Sequence, residues 1–387
     1  MYEYLDNNAQ VAEFCQQALH KKAIAVDTEF VRTRTLYPQL GLIQIYDGER
    51  LVLIDPVAVT DLSPLVTLLI APDVVKILHS CSEDLETFQT ALNIMPEPVF
   101  DTQFAASIVN IGPMLGYAKL VEIMLDIQVD KGESRTDWLA RPLSPQQLEY
   151  AANDVLYLYQ LYPQLKQQVE DKQRLDWVFE EIRLLAIKKQ RSLPVSLTYL
   201  NIKNSWQLSG KPLAALQKLA AWRLEQARKR NLALNFVVKE PNLLNLAKRQ
   251  PSNKSELHAV VGLSPQEIRR NGEQILALLN DVTESDYPPR VERLVDFAAY
   301  KGIAQSLREM CQQVAENQQI PVEVLGSKKQ INQLLQWLWF KLDETREKGL
   351  LPDLLSGWRG ELLLSGIERV VGAKIALSKD EGCPEAG

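Results

Sequence analysis

Five residues in three separated segments could do chemistry together. They are Asp27 and Glu29 in AIAVDTEF, Asp84 in ILHSCSEDLETF, and Tyr150 with Asp154 in QLEYAANDVLYLY. Each carboxylate lies in or beside an apolar stretch. A bare carboxylate is costly to bury, so such groups are normally paired, hydrogen-bonded or bound to metal. Brought together, the four acids would form an oxygen cage for hard divalent cations, the kind of site a nuclease needs. Taken singly, each has a plainer reading. A D-x-E pair on a strand is commonly a solvated edge, Asp84 suits a helix start by its charge, and Tyr150 suits a core.

The elements that must position these residues can be read from periodicity. KKAIAVDTEF alternates as a strand, so Asp27 and Glu29, two apart, point to one face. LGLIQIY and RLVLID follow as strands, with Asp47-Gly48 as a turn signal between them, which predicts an antiparallel meander. Helix 61–70, strand 74–78, helix 82–92 and strand 98–101 then predict a mixed sheet covered by helices. Asp84 falls in the first turns of its helix, at the edge of a buried face carried by Leu85, Phe88 and Leu92. The helix over 144–162 has a clear start: Ser144 as cap, Pro145 at the first position and Gln147 closing a capping box. Tyr150 and Asp154, four apart, share one side of it. Beyond about 165 only helices are predicted. RSLPVSLTYLNIKNSWQLSGKP reads as a connector, followed by helical segments over roughly 211–283 and 290–373 separated by Asp286-Tyr287-Pro288-Pro289. The two segments share a weak internal similarity. The tail, 376–387, reads as disordered.

Composition narrows the function classes. The chain has 387 residues, 46% hydrophobic and 24% charged, enough for two or three folded domains. No apolar run approaches the ~20 residues of a membrane span, and the polar, acidic start does not resemble a secretory signal. Cys15, Cys81, Cys311 and Cys383 are scattered without a CxxC pair, which argues against a zinc site or a disulfide framework and fits the reducing cytoplasm. The net charge of −6 is uneven: −9 over residues 1–210, +7 over 211–280 and −4 over 281–387. A basic block in an acidic chain suggests a nucleic-acid surface. Its candidates are Arg223, Arg228, Lys229, Arg230, Lys248, Arg249, Arg269 and Arg270. Contacts from such residues to phosphates position a strand without reading its sequence. No G-x-x-x-x-G-K-[ST] occurs, so no nucleotide cofactor is expected. His79 and Cys81 near Asp84 make no zinc site, and His79 reads as a supporting residue. Trp206, Trp222, Trp337 and Trp339 could stack on bases, but their spacing suits core packing.

DTEFVRTRTLYPQLGLIQI, HSCSEDLETF and YAANDVLYLYQLY closely resemble the three exonuclease motifs of the DEDD superfamily. The tyrosine four residues before the last aspartate places the resemblance in its tyrosine branch. WRLEQARKRNLALNFVVKEPNLLNLAKRQP and VVGLSPQEIRRNGEQILALL resemble an HRDC module, and the second helical segment resembles it more faintly. One exonuclease domain followed by two such modules is the layout of the bacterial ribonuclease D family. The resemblance implies an α/β RNase H-like exonuclease domain over 1–205 and all-α HRDC-type domains over 210–285 and 290–375. It implies two divalent cations, Mg²⁺ or Mn²⁺, held by Asp27, Glu29, Asp84 and Asp154. By the family pattern, Asp27 bridges both ions, Glu29 and Asp154 hold the one bearing the attacking water, and Asp84 supports the other. Tyr150 orients the water, since a phenol with an ordinary pKa of ~10 is a poor base near neutrality. The activity implied is release of nucleoside 5′-monophosphates from RNA 3′ ends, in tRNA 3′-end maturation and small structured RNA processing. A monomer is the default expectation. Two other readings remain open at this level: a DNA 3′-5′ exonuclease of proofreading or repair type, and a non-catalytic RNA-binding scaffold. The second module is acidic overall and, instead of binding RNA, would shape a ring or funnel around the active site.

Overall fold

In the computed structural model of the chain, the described residues are 1–129, 132–133 and 136–376; the segment read as a disordered tail therefore lies outside them except for residue 376. The first half is built on one six-stranded sheet. Its strands are β1 (Glu3–Leu5), β2 (Ala23–Val31), β3 (Gln39–Tyr46), β4 (Leu51–Ile54), β5 (Val75–Leu78) and β6 (Val99–Asp101), in spatial order β1-β4-β3-β2-β5-β6. β2, β3 and β4 form the expected antiparallel meander, while β5 and β6 add in parallel on one side and β1 on the other. β1 and the helix after it, α1 (Asn8–Ala18), were not foreseen; Asn7 caps that helix, its side chain accepting from the Gln10 N–H.

Both faces of the sheet are covered. Ile24, Val26, Ile43 and Ile45 pack toward α1, α2 (Ser63–Leu69) and α3 (Ser82–Leu92). Ala23, Ala25 and Leu42 pack on the other face, toward α4 (Thr102–Ile108), α5 (Tyr117–Leu125) and α6 (Pro145–Asp171). Ala23 and Ala25 share one core with Ala151 and Ala152 of α6, and such small side chains let the helix pack closely on the central strand. Ser144 makes the capping box foreseen for α6, with Pro145 in its first turn. The helix runs past the expected end at Tyr162 and through Pro163, because Leu165 and Val169 continue its buried stripe. The apolar contact outweighs the one backbone hydrogen bond that proline removes. α7 (Leu175–Gln190) follows and packs by β6, Phe179 edge-on to Phe100.

The second half is helical. α8 (Gly210–Arg230), α9 (Leu234–Val237), α10 (Glu240–Arg249), α11 (Lys254–His258) and α12 (Pro265–Asn280) share one core. The segment read as a connector belongs to that core: it forms two 3-10 turns, and Tyr199, Ile202 and Leu208 are buried against α8. α13 (Tyr300–Gln318), α14 (Val322–Gly326), α15 (Lys328–Trp339), α16 (Glu344–Glu347) and α17 (Gly357–Val371) form the second unit. Its core is continuous with that of the sheet domain.

The three units touch in turn. The Ala233 N–H donates to Arg34 O at 2.9 Å, and the Tyr37 N–H to Asn231 Oδ1 at 3.2 Å, docking the end of α8 on the loop after β2. The Arg293 guanidinium lies 3.8 Å from the Trp206 ring centroid, joining the two helical units. Trp358 stacks on Trp177 at 4.8 Å and donates from Nε1 to Glu181 Oε2 at 3.0 Å, docking the second unit back on α7.

Candidate active site

β2 outruns its neighbour. β5 pairs only with Ala23–Ala25, whereas β2 continues to Val31. Beyond Ala25 that side of the strand has no strand partner, and α3 begins there. Asp84 enters through this gap, its Oδ1 accepting from Thr28 Oγ1 at 2.5 Å. Asp27 and Glu29 project from the opposite face of β2 to Thr28, toward α6. Asp154 comes down from α6 to meet them. Carboxylate oxygens of Asp27, Glu29 and Asp154 all lie within 4.8 Å of one another. Asp84 falls outside that tight trio but close enough for its charge to act on Asp27 and Glu29.

The electrostatics are those of crowded, dehydrated acids. Burial, then repulsion from Asp84, Asp154 and Glu29, holds the Asp27 carboxyl well above its ordinary range. Burial and the charges of Asp154 and Asp84 push Glu29 up to about 9. Burial raises Asp154 to about 7 against the opposing hydrogen bond from Tyr150, and Asp84 to about 6 against that from Thr28. Tyr150 is raised too, first by burial and then by Asp154, Glu29 and Asp27. Such a cluster keeps protons until a cation replaces them. Its donor set is wholly oxygen, which fits hard divalent ions rather than zinc.

The residues that hold these groups were less legible. Register along β2 and β3 passes from Glu29↔Leu42 to Phe30↔Leu40, leaving Gly41 as the extra residue of a β-bulge beside Glu29. A Cβ on Gly41 would sit 2.5 Å from Trp138 O, so only glycine fits. Trp138 in turn lies 6.3 Å from the Tyr150 ring and backs it. A lone glycine inside a strand pattern was the available signal. Arg141 locks this corner, donating to Gly41 O at 2.7 Å and to both oxygens of Asp55. The Tyr117 hydroxyl donates to Asp154 O at 2.6 Å, bracing α6 behind the site, and His79 packs edge-on to Tyr117 with Nδ1 2.9 Å from Thr102 Oγ1.

The basic candidates divide. Arg228, Lys229, Lys248, Arg249, Arg269 and Arg270 are exposed, and Arg230 is half-exposed. Arg223 is a correction: it is 5% exposed, and its guanidinium donates to Val238 O at 3.3 Å inside the first helical unit. A side chain so enclosed does not reach a phosphate. Of the tryptophans, Trp222 is buried and donates to Gln274, and Trp339 stacks on Phe297, as core packing requires. Trp206 is exposed but carries Arg293 on its ring. No helix among the described residues is long and apolar enough to cross a membrane.

A mixed sheet between helices, with clustered acids at the overhanging end of its central strand, defines a 3′-5′ exonuclease of RNase H-like architecture. The 3′-5′ exonuclease family matches residues 2–170, the HRDC domain residues 213–279, and the C-terminal HRDC domain of ribonuclease D residues 298–367. Ribonuclease D of Shewanella sp. (strain ANA-3) is 44% identical over 370 residues, 96% of this chain and 94% of the relative. Ribonuclease D of Escherichia coli (strain K12) is 41% identical over 373 residues, 96% and 98%. The crystal structure of Escherichia coli RNase D, described as an exoribonuclease involved in structured RNA processing, superposes with a TM-score of 0.91 at 41% identity, covering 96% of this chain and 99% of that one. The catalytic core of RRP6 from Trypanosoma brucei shares the fold at 22% identity, with a TM-score of 0.60 over 72% of this chain and 78% of its own. The chain belongs to the ribonuclease D family and is a 3′-5′ exoribonuclease. This favours the RNA reading over the DNA exonuclease and the scaffold. Enzymes of this exonuclease family depend in general on divalent metal.

Proposed function

We propose that Asp27, Glu29, Asp84 and Asp154 hold two divalent cations, Mg²⁺ or Mn²⁺, and that Tyr150 completes the catalytic set. The chain would remove nucleoside 5′-monophosphates from RNA 3′ ends, in tRNA 3′-end maturation and the processing of small structured RNAs. The observation that carries this reading is the trio of carboxylates whose oxygens lie within 4.8 Å of one another, where burial and then mutual repulsion raise the pKa values of Asp27 and Glu29. When bound, the cations would neutralise the acids, lower the pKa of a water and stabilise the leaving 3′ oxygen.

The protein's own groups have separable tasks. Asp27 feels all three other acids and is the centre of the set. Thr28 occupies one oxygen of Asp84, which leaves the other for a cation or its water. Tyr150 keeps its proton at neutral pH, because burial and three nearby acids raise its pKa. It therefore orients a water by hydrogen bonding and does not take its proton.

We divide the chain into an exonuclease domain over 1–205 and HRDC-type domains over 210–285 and 290–375, with the end of the first span, from Val195 on, packing on the first HRDC-type domain. In this reading Arg228, Lys229, Arg230, Lys248, Arg249, Arg269 and Arg270 meet RNA phosphates. Burial of the unpaired Cys15, Cys81 and Cys311 supports a cytoplasmic protein, and we read the chain as a monomer.

The test incubates the pure protein with 3′-extended tRNA and with matched DNA, in Mg²⁺ or in EDTA. Release of 5′-mononucleotides from RNA alone, and only with metal, is expected. Asp27→Asn should abolish release while leaving far-UV circular dichroism and RNA binding nearly intact. Tyr150→Phe should slow release strongly at an unchanged metal requirement. A fully active Tyr150→Phe would remove Tyr150 from the mechanism, and a fully active Asp27→Asn would sink the metal site.

A further inference from the structure

Gln44 is wholly buried on β3, and neither its Nε2 nor its Oε1 has a hydrogen-bond partner in the protein. Burying an amide with both ends unmatched is costly, and native interiors rarely tolerate it without a reason. The sheet register shows where the amide lies. Gln44 stands directly opposite Asp27 on β2 and opposite Leu53 on β4. Side chains directly opposite in an antiparallel pair share a face, with Cβ atoms about 5 Å apart. Along its own strand the same face carries Leu42 and Tyr46. Tyr46 donates its hydroxyl to Gly48 O, away from this point. α6 covers this face of β3 and β4. Of the two side chains directly opposite Gln44 in the register, Asp27 and Leu53, Asp27 is the acid, and Glu29 stands diagonal to Gln44, opposite Leu42.

Leucine at this position would satisfy the packing on every side. The glutamine adds an amide beside the acid at the centre of the cluster. Trp138, which backs Tyr150, leaves its buried Nε1 unpartnered as well. We propose that Gln44 is the positioning residue of Asp27: its amide N–H, reaching across through one buried water or a change of rotamer, holds the Asp27 carboxylate in the orientation that divalent-cation binding needs. A partner of a metal ligand commonly changes metal affinity or activity by 10–100-fold when it is removed. The inference rests on the metal-site reading above.

The experiment compares wild type with Gln44→Leu and Gln44→Met, which keep the volume and delete the amide. Four quantities are measured: melting temperature in EDTA, Mn²⁺ affinity by calorimetry, the metal concentration for half-maximal nucleotide release, and the KM for RNA. The expected result has opposite signs. Both variants melt no lower than wild type in EDTA, because removing the cost of burying the amide offsets its lost bond to Asp27, yet bind Mn²⁺ at least ~10-fold more weakly. Half-maximal release requires correspondingly more metal, while the KM for RNA at saturating metal stays unchanged. Wild-type Mn²⁺ affinity in either variant overturns the proposal, as does a loss of melting temperature large enough to account for the weaker binding. Failure of wild type itself to bind Mn²⁺ would overturn the metal site instead, so the two ideas fall separately. Gln44→Glu distinguishes orientation from polarity: an added acid cannot donate when ionised, and it should not restore affinity.

Discussion

The Thr28 hydroxyl donates to the Asp84 carboxylate at 2.5 Å, joining two residues 56 apart in the chain. Thr28 lies between Asp27 and Glu29 but points to the other face of the sheet. One strand segment therefore presents two acids to one side and secures a third acid on the other.

Thr28→Val keeps the shape and deletes the hydroxyl. Losing a hydrogen bond to a charged group costs about 1.5–3 kcal/mol when the acceptor stays buried. Asp84 would also lose the largest of the hydrogen bonds that lower its pKa, and would retain its proton to higher pH. The expected outcome is a roughly 10-fold or greater fall in nucleotide release at neutral pH, partly recovered by raising the pH. Thr28→Ser should behave close to wild type. Single-turnover assays on a short RNA between pH 6 and 9 provide the check, and a Thr28→Val protein with the wild-type profile would contradict it.

The crowded acids also set the sign of the pH dependence of stability. Their folded pKa values lie above the ordinary carboxyl range near 4: about 6 for Asp84, about 7 for Asp154 and about 9 for Glu29. The folded chain thus binds more protons than the unfolded chain across this window. The contribution is fully present below about pH 4 and is lost as pH rises through these values. In EDTA, the melting temperature of wild type relative to Asp27→Asn should fall between pH 6 and pH 9. Cation binding requires ionised ligands and expels their protons, so added Mg²⁺ should raise the melting temperature more at pH 9 than at pH 6. A cation effect independent of pH would argue against these acids as the ligands.

How much of this was legible beforehand depends on the range of the interaction. The shared face of Asp27 and Glu29, the capping box at Ser144 and the pairing of Tyr150 with Asp154 are local, and spacing reports them. The entry of Asp84 is not local: it needs β5 to end where β2 continues, a difference in strand length that no periodicity encodes. Arg223 shows the limit of charge reading, since composition counts a buried guanidinium and an exposed one alike. Gln44 was hidden in LGLIQIY, where a buried strand is read from the run as a whole. Likewise the docking of the last domain rests on Trp177, Trp358 and Glu181, which are far apart in sequence and ordinary singly.

That docking can be loosened at one residue. Trp358 is fully buried, stacked on Trp177 and tilted against Phe104, with its backbone N–H donating to Glu180 Oε2 at 2.7 Å. Trp358→Ala should cost about 3–5 kcal/mol of stability by removing a large buried ring. It should also expose the Asp286–Asp296 segment to limited proteolysis as the last domain detaches. Cleavage of short single strands should suffer less than cleavage of tRNA precursors. Thermal melting and protease mapping together give the answer; unchanged melting would mean that this interface holds nothing.

The exposed cations at the end of α8 can be tested against the buried one on the same helix. Truncation after residue 210 is a poor probe, because it would strip a core shared with the exonuclease domain. Arg228→Glu and Lys229→Glu are milder, since both side chains are exposed, and α8 ends where Asn231 and Ala233 dock on the loop following β2. In an Asp27→Asn background, which preserves the RNA, binding is measured against salt. Each phosphate left without its cation should flatten the slope of log K against log salt by roughly 0.7–0.9. Affinity should fall evenly across RNA sequences, as expected of side chains that position the backbone and do not read bases. Arg223→Leu provides the opposite control. Its guanidinium is enclosed and bonded to Val238 O, so the change should alter melting and leave the salt slope as in wild type. A flatter slope from Arg223→Leu, or none from the α8 pair, would place the RNA elsewhere on the molecule.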